Sequence, residues 1–284
     1  MSPSSAPEAD WLDLCRRAAA GARRALAGYT RTADRRRHVG RGEGGDMTLA
    51  IDRAAEDAVF AELDALGVPL TAVSEERGRV SVAGGGPVHV VIDPVDGSLN
   101  AKRRVPAYSI SLAIASGPTM GDVELGYVAD LAGGDEFWAV RGEGAHLDGA
   151  RLAPAAADTP LELLGVESAH PWLISAYADA IAASRAERVR MLGSIALSLC
   201  FVAAGRFDAM FSMRACRSVD AAAGQLIVRE ARGAIAFLDA GGGTGAVALD
   251  LDMRSRVAAG ATQALLDGIV ARAAAVAPVP PAKA

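Results

Sequence analysis

The chain has 284 residues, enough for one large hydrophobic core or two smaller ones, and its 51% hydrophobic and 22% charged residues mark an ordinary globular composition. With 34 acidic and 29 basic residues the net charge is -5, which disfavours general affinity for nucleic acid or an anionic membrane. Any anionic ligand must therefore be held by a local device. The cysteines Cys15, Cys200 and Cys216 are odd in number and lack metal-ligand spacing, so neither a disulfide framework nor a zinc site is expected. The first ten residues lack signal-peptide anatomy, and no uncharged apolar run reaches membrane-spanning length; a reducing, cytoplasmic location without membrane contact is the expectation.

Residues 1–7 and 277–284 read as loose tails. A first helix is predicted from about Asp10, because Trp11, Leu14, Cys15, Ala18, Ala22 and Leu26 recur at helical spacing. The arginine-rich run from Arg31 to Arg41 suits a solvated helix end and turn, with a phosphate-binding patch as the rarer alternative. "GRGEGGDMT" is a turn-rich connector, and "IDRAAEDAVFAELDALG" is a second amphipathic helix stopped by Gly67 and Pro69. The periodicity then changes: "VHVVID", "AYSISLAIAS", "DVELGYVAD" and "DEFWAV" read as strands. A soft boundary at Leu147 to Pro154 separates an α+β half, residues 8–149, from an α/β half, residues 150–276. In the second half helices are predicted at Trp172–Ala183, Ile195–Ala204, Val219–Ala231 and Thr262–Val276, with strands near Val189, at Phe207–Met213 and at Ala234–Leu238.

The stretch "VVIDPVDGSLNAKRR" holds the most chemistry. An apolar strand delivers Asp93 to its end, Pro94 forces a turn, and Asp96 then lies near Asp93 and not on the opposite pleat face. Carboxylates that close raise each other's pKa unless a cation compensates, and all-oxygen ligands favour Mg²⁺ or Mn²⁺ over zinc. Gly97 allows a ligand close to the backbone, and the Ser98 hydroxyl at a helix start suits phosphate. D-P-x-D-G is also the composition of a plain surface turn. Asp220, opening an apolar helix, could likewise be only a cap, and Glu75 and Glu76 in "SEERG" could be solvated. These segments taken singly leave both readings open.

The motifs "MTLAIDRAAED", "SEERG", "VVIDPVDGSLNA", "GYVADLAGGDEFWAVRGEGAHLDG", "LGSIALSLCFVAAGRFDA" and "SVDAAAGQLIVREARGAI" occur in the order seen in the inositol monophosphatase family. Over residues 10–276 the chain most resembles its bifunctional archaeal-type branch, the fructose-1,6-bisphosphatase/inositol-1-monophosphatases. The resemblance implies an α/β fold, a layered αβαβα sandwich of the sugar-phosphatase type. It also implies hydrolysis of small sugar or polyol phosphates by metal-activated water, with two or three Mg²⁺ (or Mn²⁺) ions, sensitivity to Li⁺, and a homodimer. Carried over residue by residue, Glu75, Asp93, the carbonyl of Val95, Asp96 and Asp220 would ligate the metals. Asp52 would pair with Ser98 to orient or deprotonate the attacking water. Gly97 and Ser98 would bind phosphate, and Gly193, Ser194 and Ile195 would line the polyol side, which Asp96 and Asp220 also face. Glu76 would stand outside the metal-binding set.

The chain departs from the family pattern at three positions. Ser98 replaces the Thr common in monophosphatases but keeps the hydroxyl, and Val219 stands where many monophosphatases have Trp. Ser212 stands where relatives often carry an acid that grips substrate hydroxyls, which puts inositol as the substrate in question. A bisphosphate needs a second cationic contact, for which Arg214, Arg217, Arg190 and Lys102 are the candidates. Phosphatases of 3'-phosphoadenosine 5'-phosphate or of histidinol phosphate are alternatives of the same chemistry. A catalytically silent metal-binding interaction protein is the alternative of another class.

Overall fold

The computed structural model describes residues 10–43, 47–156, 158–168, 170–241 and 243–276; the expected tails, 1–7 and 277–284, lie outside them. Helix α1 (Trp11–Ala27) is capped by Asp10, whose side chain accepts the Asp13 amide at 2.9 Å, and it buries Leu14, Cys15, Ala18, Ala22 and Leu26. The arginine run that follows is more than a solvated helix end. It forms the short helix α2 (Thr32–Arg35) and strand β1 (His38–Arg41), which pairs with β2 (Met47–Leu49). Arg35 is only 7% exposed, and its guanidinium donates to the carbonyls of Tyr29, Ala101 and Leu26 at 2.9 to 3.1 Å. Its several fixed donors satisfy three carbonyls at once, so this arginine is a buried staple while Arg31, Arg36 and Arg37 face water.

Helix α3 (Ala50–Leu66) packs against α1 and ends at Gly67, whose φ of 66° is the left-handed stop that glycine tolerates. Next come β3 (Leu70–Ser74), β4 (Gly78–Val82), β5 (Val88–Asp96), the short α4 (Ser98–Arg103), β6 (Ser109–Ala115), β7 (Val123–Asp130), β8 (Glu136–Val140), β9 (Gly144–Leu147) and β10 (Ala150–Arg151). They form one sheet in the order β10-β9-β8-β7-β6-β5-β3-β4, antiparallel throughout except where β3 runs parallel to β5. The chain continues through β11 (Leu163–Glu167), α5 (Pro171–Ala176), α6 (Ala178–Ser184), β12 (Arg188–Arg190), α7 (Ile195–Ala203), β13 (Ala209–Ser212), α8 (Ser218–Glu230), β14 (Ala234–Phe237), β15 (Val257–Gly260) and α9 (Gln263–Ala273). Its five strands make a second sheet, β12-β11-β13-β15-β14, parallel from β12 to β13 and antiparallel beyond.

Three apolar cores stack these elements into the expected αβαβα sandwich. One core lies between α1, α3 and the first sheet; the largest surrounds α7 and α8 between the two sheets; the third lies between the second sheet and α5, α6 and α9. The middle layer is thin because its helices are built from small residues. A Cβ added at Gly126 of β7 would fall 2.5 Å from the Ala223 carbonyl oxygen of α8, and one at Gly224 would fall 2.8 Å from Leu199 of α7. Among the described residues no helix is long and apolar enough to cross a membrane.

Two expectations need correction. The helix predicted at Trp172–Ala183 is two helices, broken at Tyr177, a fully buried residue whose hydroxyl accepts the Arg256 guanidinium at 2.8 Å. Strands β11 and β15 lie at positions where no strand was predicted. Their sequences, LLGVE and VAAG, are rich in Gly, Ala and Leu and have little of the β-branched signal, and burial inside the sheet decides their conformation. The close approach of α8 to the sheet gives a direct test: Gly126→Ala should lower stability by about 1–3 kcal/mol through overpacking. A thermal or urea midpoint equal to that of the unsubstituted chain would refute this packing.

Candidate active site

Asp93 and Asp96 come together by a route different from the one their sequence suggests. Pro94 does not end the strand, which continues to Asp96. Asp93 pairs with Ser111 and Asp96 with Ser109, so three steps along β5 match two along β6: a bulge inserts one residue. Proline has no N–H to give the ladder, and the next amide, Val95 N–H, turns instead to Asp93 Oδ1 at 3.1 Å. The extra residue returns Asp96 to the face of the sheet that Asp93 already occupies. Gly97 then adopts φ 92°, and Ser98 opens α4 with its hydroxyl donating to the Val95 carbonyl at 2.9 Å.

The bulge opens into a cavity of about 380 Å³, the size of a small-molecule site. Asp52, Glu75, Glu76, Asp93, Val95, Asp96, Gly97, Ser98, Gly193, Ile195 and Asp220 line it, together with Met47, Leu49, Glu167, Ser168 and Arg217. Seven of these residues are acids and one is a cation, so the cavity has a large excess of carboxylate. Two of the acids sit in the first turn of a helix and accept a backbone amide there: Asp52 takes Leu49 N–H at 3.2 Å and Asp220 takes Arg217 N–H at 2.8 Å. The Arg217 guanidinium lies 2.5 Å from Glu75 Oε1. Of the four candidate cations only Arg217 reaches the cavity lining; Arg190 and Arg214 face solvent and Lys102 lies outside it.

Burial and mutual repulsion govern the titration of these groups. Burial, then repulsion from Glu76, pushes Asp52 up to about 7. Burial raises Glu75 to about 8 against the opposing pull of Arg217, and burial with the charge of Asp220 raises Asp96 to about 7. Asp93 is held well above the ordinary carboxylate range by burial and by Glu75 and Asp96. Asp220 is raised by burial, with Arg217 opposing.

Three of the expected substrate contacts lie elsewhere. Ser194 is 1% exposed, beneath the lining, and donates to Asp96 Oδ2 at 2.6 Å. Ser212 is fully buried and accepts Val257 N–H at 2.9 Å, sealing the end of β15, while Arg214 points to solvent. Glu167 is the acid that sequence reasoning missed. It closes β11 beside Ser212 and accepts Leu192 N–H at 3.1 Å, Gly193 N–H at 2.8 Å and the Ser198 hydroxyl at 2.6 Å. Only recognition of LLGVE as a strand aimed at the cavity could have signalled it.

The donor set suits a hard divalent cation. It is all oxygen, it carries an excess of acids over cations, and Asp52 Oδ1 is buried with no hydrogen-bond partner among the described residues. Among the described residues no three His, Cys, Asp or Glu side chains already converge at metal-ligand spacing. The carboxylates would have to draw in when a cation arrives.

These pKa shifts set the sign of a pH effect. Acids raised in the fold to about 7 or 8, against about 4 unfolded, bind more protons folded than unfolded across that window, so stability falls as pH rises through it. In chelator, the melting midpoint should be higher near pH 5.5 than near pH 8 (rough choices inside that window). A midpoint that climbs over the same range would contradict the buried-acid electrostatics.

The Inositol monophosphatase family model matches residues 10–277. The fructose-1,6-bisphosphatase/inositol-1-monophosphatase of Methanothermobacter thermautotrophicus is 34% identical over 235 residues, covering 79% of this chain and 83% of that protein. The protein of the same description from Archaeoglobus fulgidus is 37% identical over 235 residues, covering 82% and 86%. Among solved structures, a Thermotoga maritima IMPase superposes with a TM-score of 0.76 at 24% identity, covering 94% of this chain and 98% of that one, and so shares the fold. The fold, the motif order and these likenesses agree: the chain belongs to the inositol monophosphatase family.

Proposed function

We propose that this protein is a Mg²⁺-dependent phosphomonoesterase acting on small sugar or polyol phosphates. Inositol-1-phosphate and fructose-1,6-bisphosphate are the first candidates, after the activities for which the two archaeal relatives are described. The observation that carries this reading is the cavity lined by seven acids and one cation in a chain of this family. A phosphate ester is repelled from such a cavity unless divalent cations enter with it.

Glu75, Asp93, the Val95 carbonyl, Asp96 and Asp220 would hold two or three ions, and Glu76 would remain outside that set. Bound there, the ions would supply Lewis acidity for the phosphoryl group and lower the pKa of water. The chain's own groups do the rest. Asp52, with an unpartnered buried oxygen and a pKa raised to about 7, can hold the attacking water and take its proton. Ser98 sits next to Asp52 at the mouth of the bulge and orients the same water, and the glycine before it lets the phosphate approach the backbone. Arg217, which lines the cavity and pairs with Glu75, would be the cation to meet the second phosphate of a bisphosphate.

Homodimerisation, Li⁺ inhibition and a cytoplasmic location belong to the same reading.

Purified protein with Mg²⁺ should release phosphate from at least one member of a panel of inositol, sugar, nucleotide and histidinol phosphates. Silence across the whole panel would leave the interaction-protein alternative standing. Asp93→Asn and Asp220→Asn should each lower turnover by roughly 10²–10³-fold or more while the far-ultraviolet spectrum is kept. Near-normal rates in both variants would overturn the ligand assignment.

A further inference from the structure

Gly193 reaches the cavity on a turn that the protein holds from two sides. From behind, both oxygens of Glu167 are engaged: Oε1 accepts Leu192 N–H at 3.1 Å and the Ser198 hydroxyl at 2.6 Å, and Oε2 accepts Gly193 N–H at 2.8 Å. From the side, the Asn100 amide donates to the Leu192 carbonyl at 2.6 Å and to the Ala107 carbonyl at 2.7 Å. Asn100 belongs to α4, two residues beyond Ser98, so one side chain joins the phosphate end of the cavity to this turn. The backbones meet as well, since a Cβ on Gly97 would fall 3.1 Å from the Gly193 carbonyl oxygen. Gly193 itself has φ 81°.

These bonds determine what the turn can offer a ligand. The amides of Leu192 and Gly193 point back at a buried carboxylate, so they are withdrawn from any anion in the cavity. With these two amides turned away and a carboxylate behind them, this part of the wall is unsuited to phosphate. It is suited, by shape, to the carbon skeleton of an alcohol.

We infer that Glu167 and Asn100 are positioning residues that fix the turn at residues 192–194 and thereby decide which alcohol half of a phosphate ester the protein accepts. The inference rests on the phosphomonoesterase reading. Glu167 does this only as a carboxylate. A glutamine of the same shape must aim its NH2 group at either the Gly193 amide or the Leu192 amide, which replaces acceptance by a donor–donor clash on one side of the turn. Asn100→Ala releases the other side of the turn and leaves Glu167 in place.

The test compares kcat/KM on two esters. One is inositol-1-phosphate or fructose-1,6-bisphosphate, whichever the unsubstituted chain hydrolyses faster. The other is p-nitrophenyl phosphate, whose flat leaving group asks little of the turn. In Glu167→Gln and in Asn100→Ala the ratio of the first to the second should fall about tenfold, through KM for the polyol or sugar ester. If Glu167→Gln does not fold, Asn100→Ala alone carries the test. A ratio that stays within about twofold of the unsubstituted chain, or rises, overturns the positioning role, even if both rates drop together. Failure of the unsubstituted chain to release phosphate from these esters and from every other member of the panel overturns the phosphomonoesterase reading itself, and the inference with it.

Discussion

Repulsion among acids that share one small cavity is the constraint around which this structure is arranged. Burial raises Asp52, Glu75, Asp93, Asp96 and Asp220, and neighbouring carboxylates add to it at the first four, so each resists ionisation where it stands. The fold answers with partial compensation. Two helix starts accept their carboxylates through backbone amides, Ser194 and the Ala196 amide hold Asp96, and Arg217 meets Glu75. None of these neutralises the cavity. Poor electrostatics at a functional cavity is a common cost in stability, offset elsewhere in the fold.

What could be seen in the sequence follows from how local each feature is. Asp93 and Asp96 lie in one short motif, and their nearness was legible because Pro94 stands between them. The mechanism of that nearness was not, because a bulge is defined by the partner strand, and only the pairing with Ser109 and Ser111 reveals it. The α1 stripe and strands β5 to β8 were legible from their apolar patterns, whereas β3, β4, β9 and β10 of the same sheet were not predicted. Glu167 was hidden because LLGVE is short and weakly β-forming, so neither its strand nor its direction could be inferred. Ser212 pairs in register with Glu167, yet its hydroxyl turns to the Val257 amide of the neighbouring strand, a contact that no local sequence signal announces.

Small residues do as much for the site as charged ones. The run of Ala221, Ala222, Ala223 and Gly224 lets α8 lie between two sheets, and it is α8 that carries Arg217 and Asp220 to the cavity. A bulkier helix would hold Asp220 farther from β5. The alanine-rich composition therefore bears on the distance between carboxylates as well as on packing.

The cavity draws on both sheets and on the layer between them. Asp52, Glu75, Asp93 and Asp96 come from elements completed before residue 97, whereas Glu167, Gly193 and Asp220 are added much later along the chain. On the ribosome, the early segment exposes its strands and acids long before α8 exists to cover them. A chain that stops before α8 therefore lacks Arg217 and Asp220, and its share of the cavity keeps Asp52, Glu75, Asp93 and Asp96 without the wall that faces them.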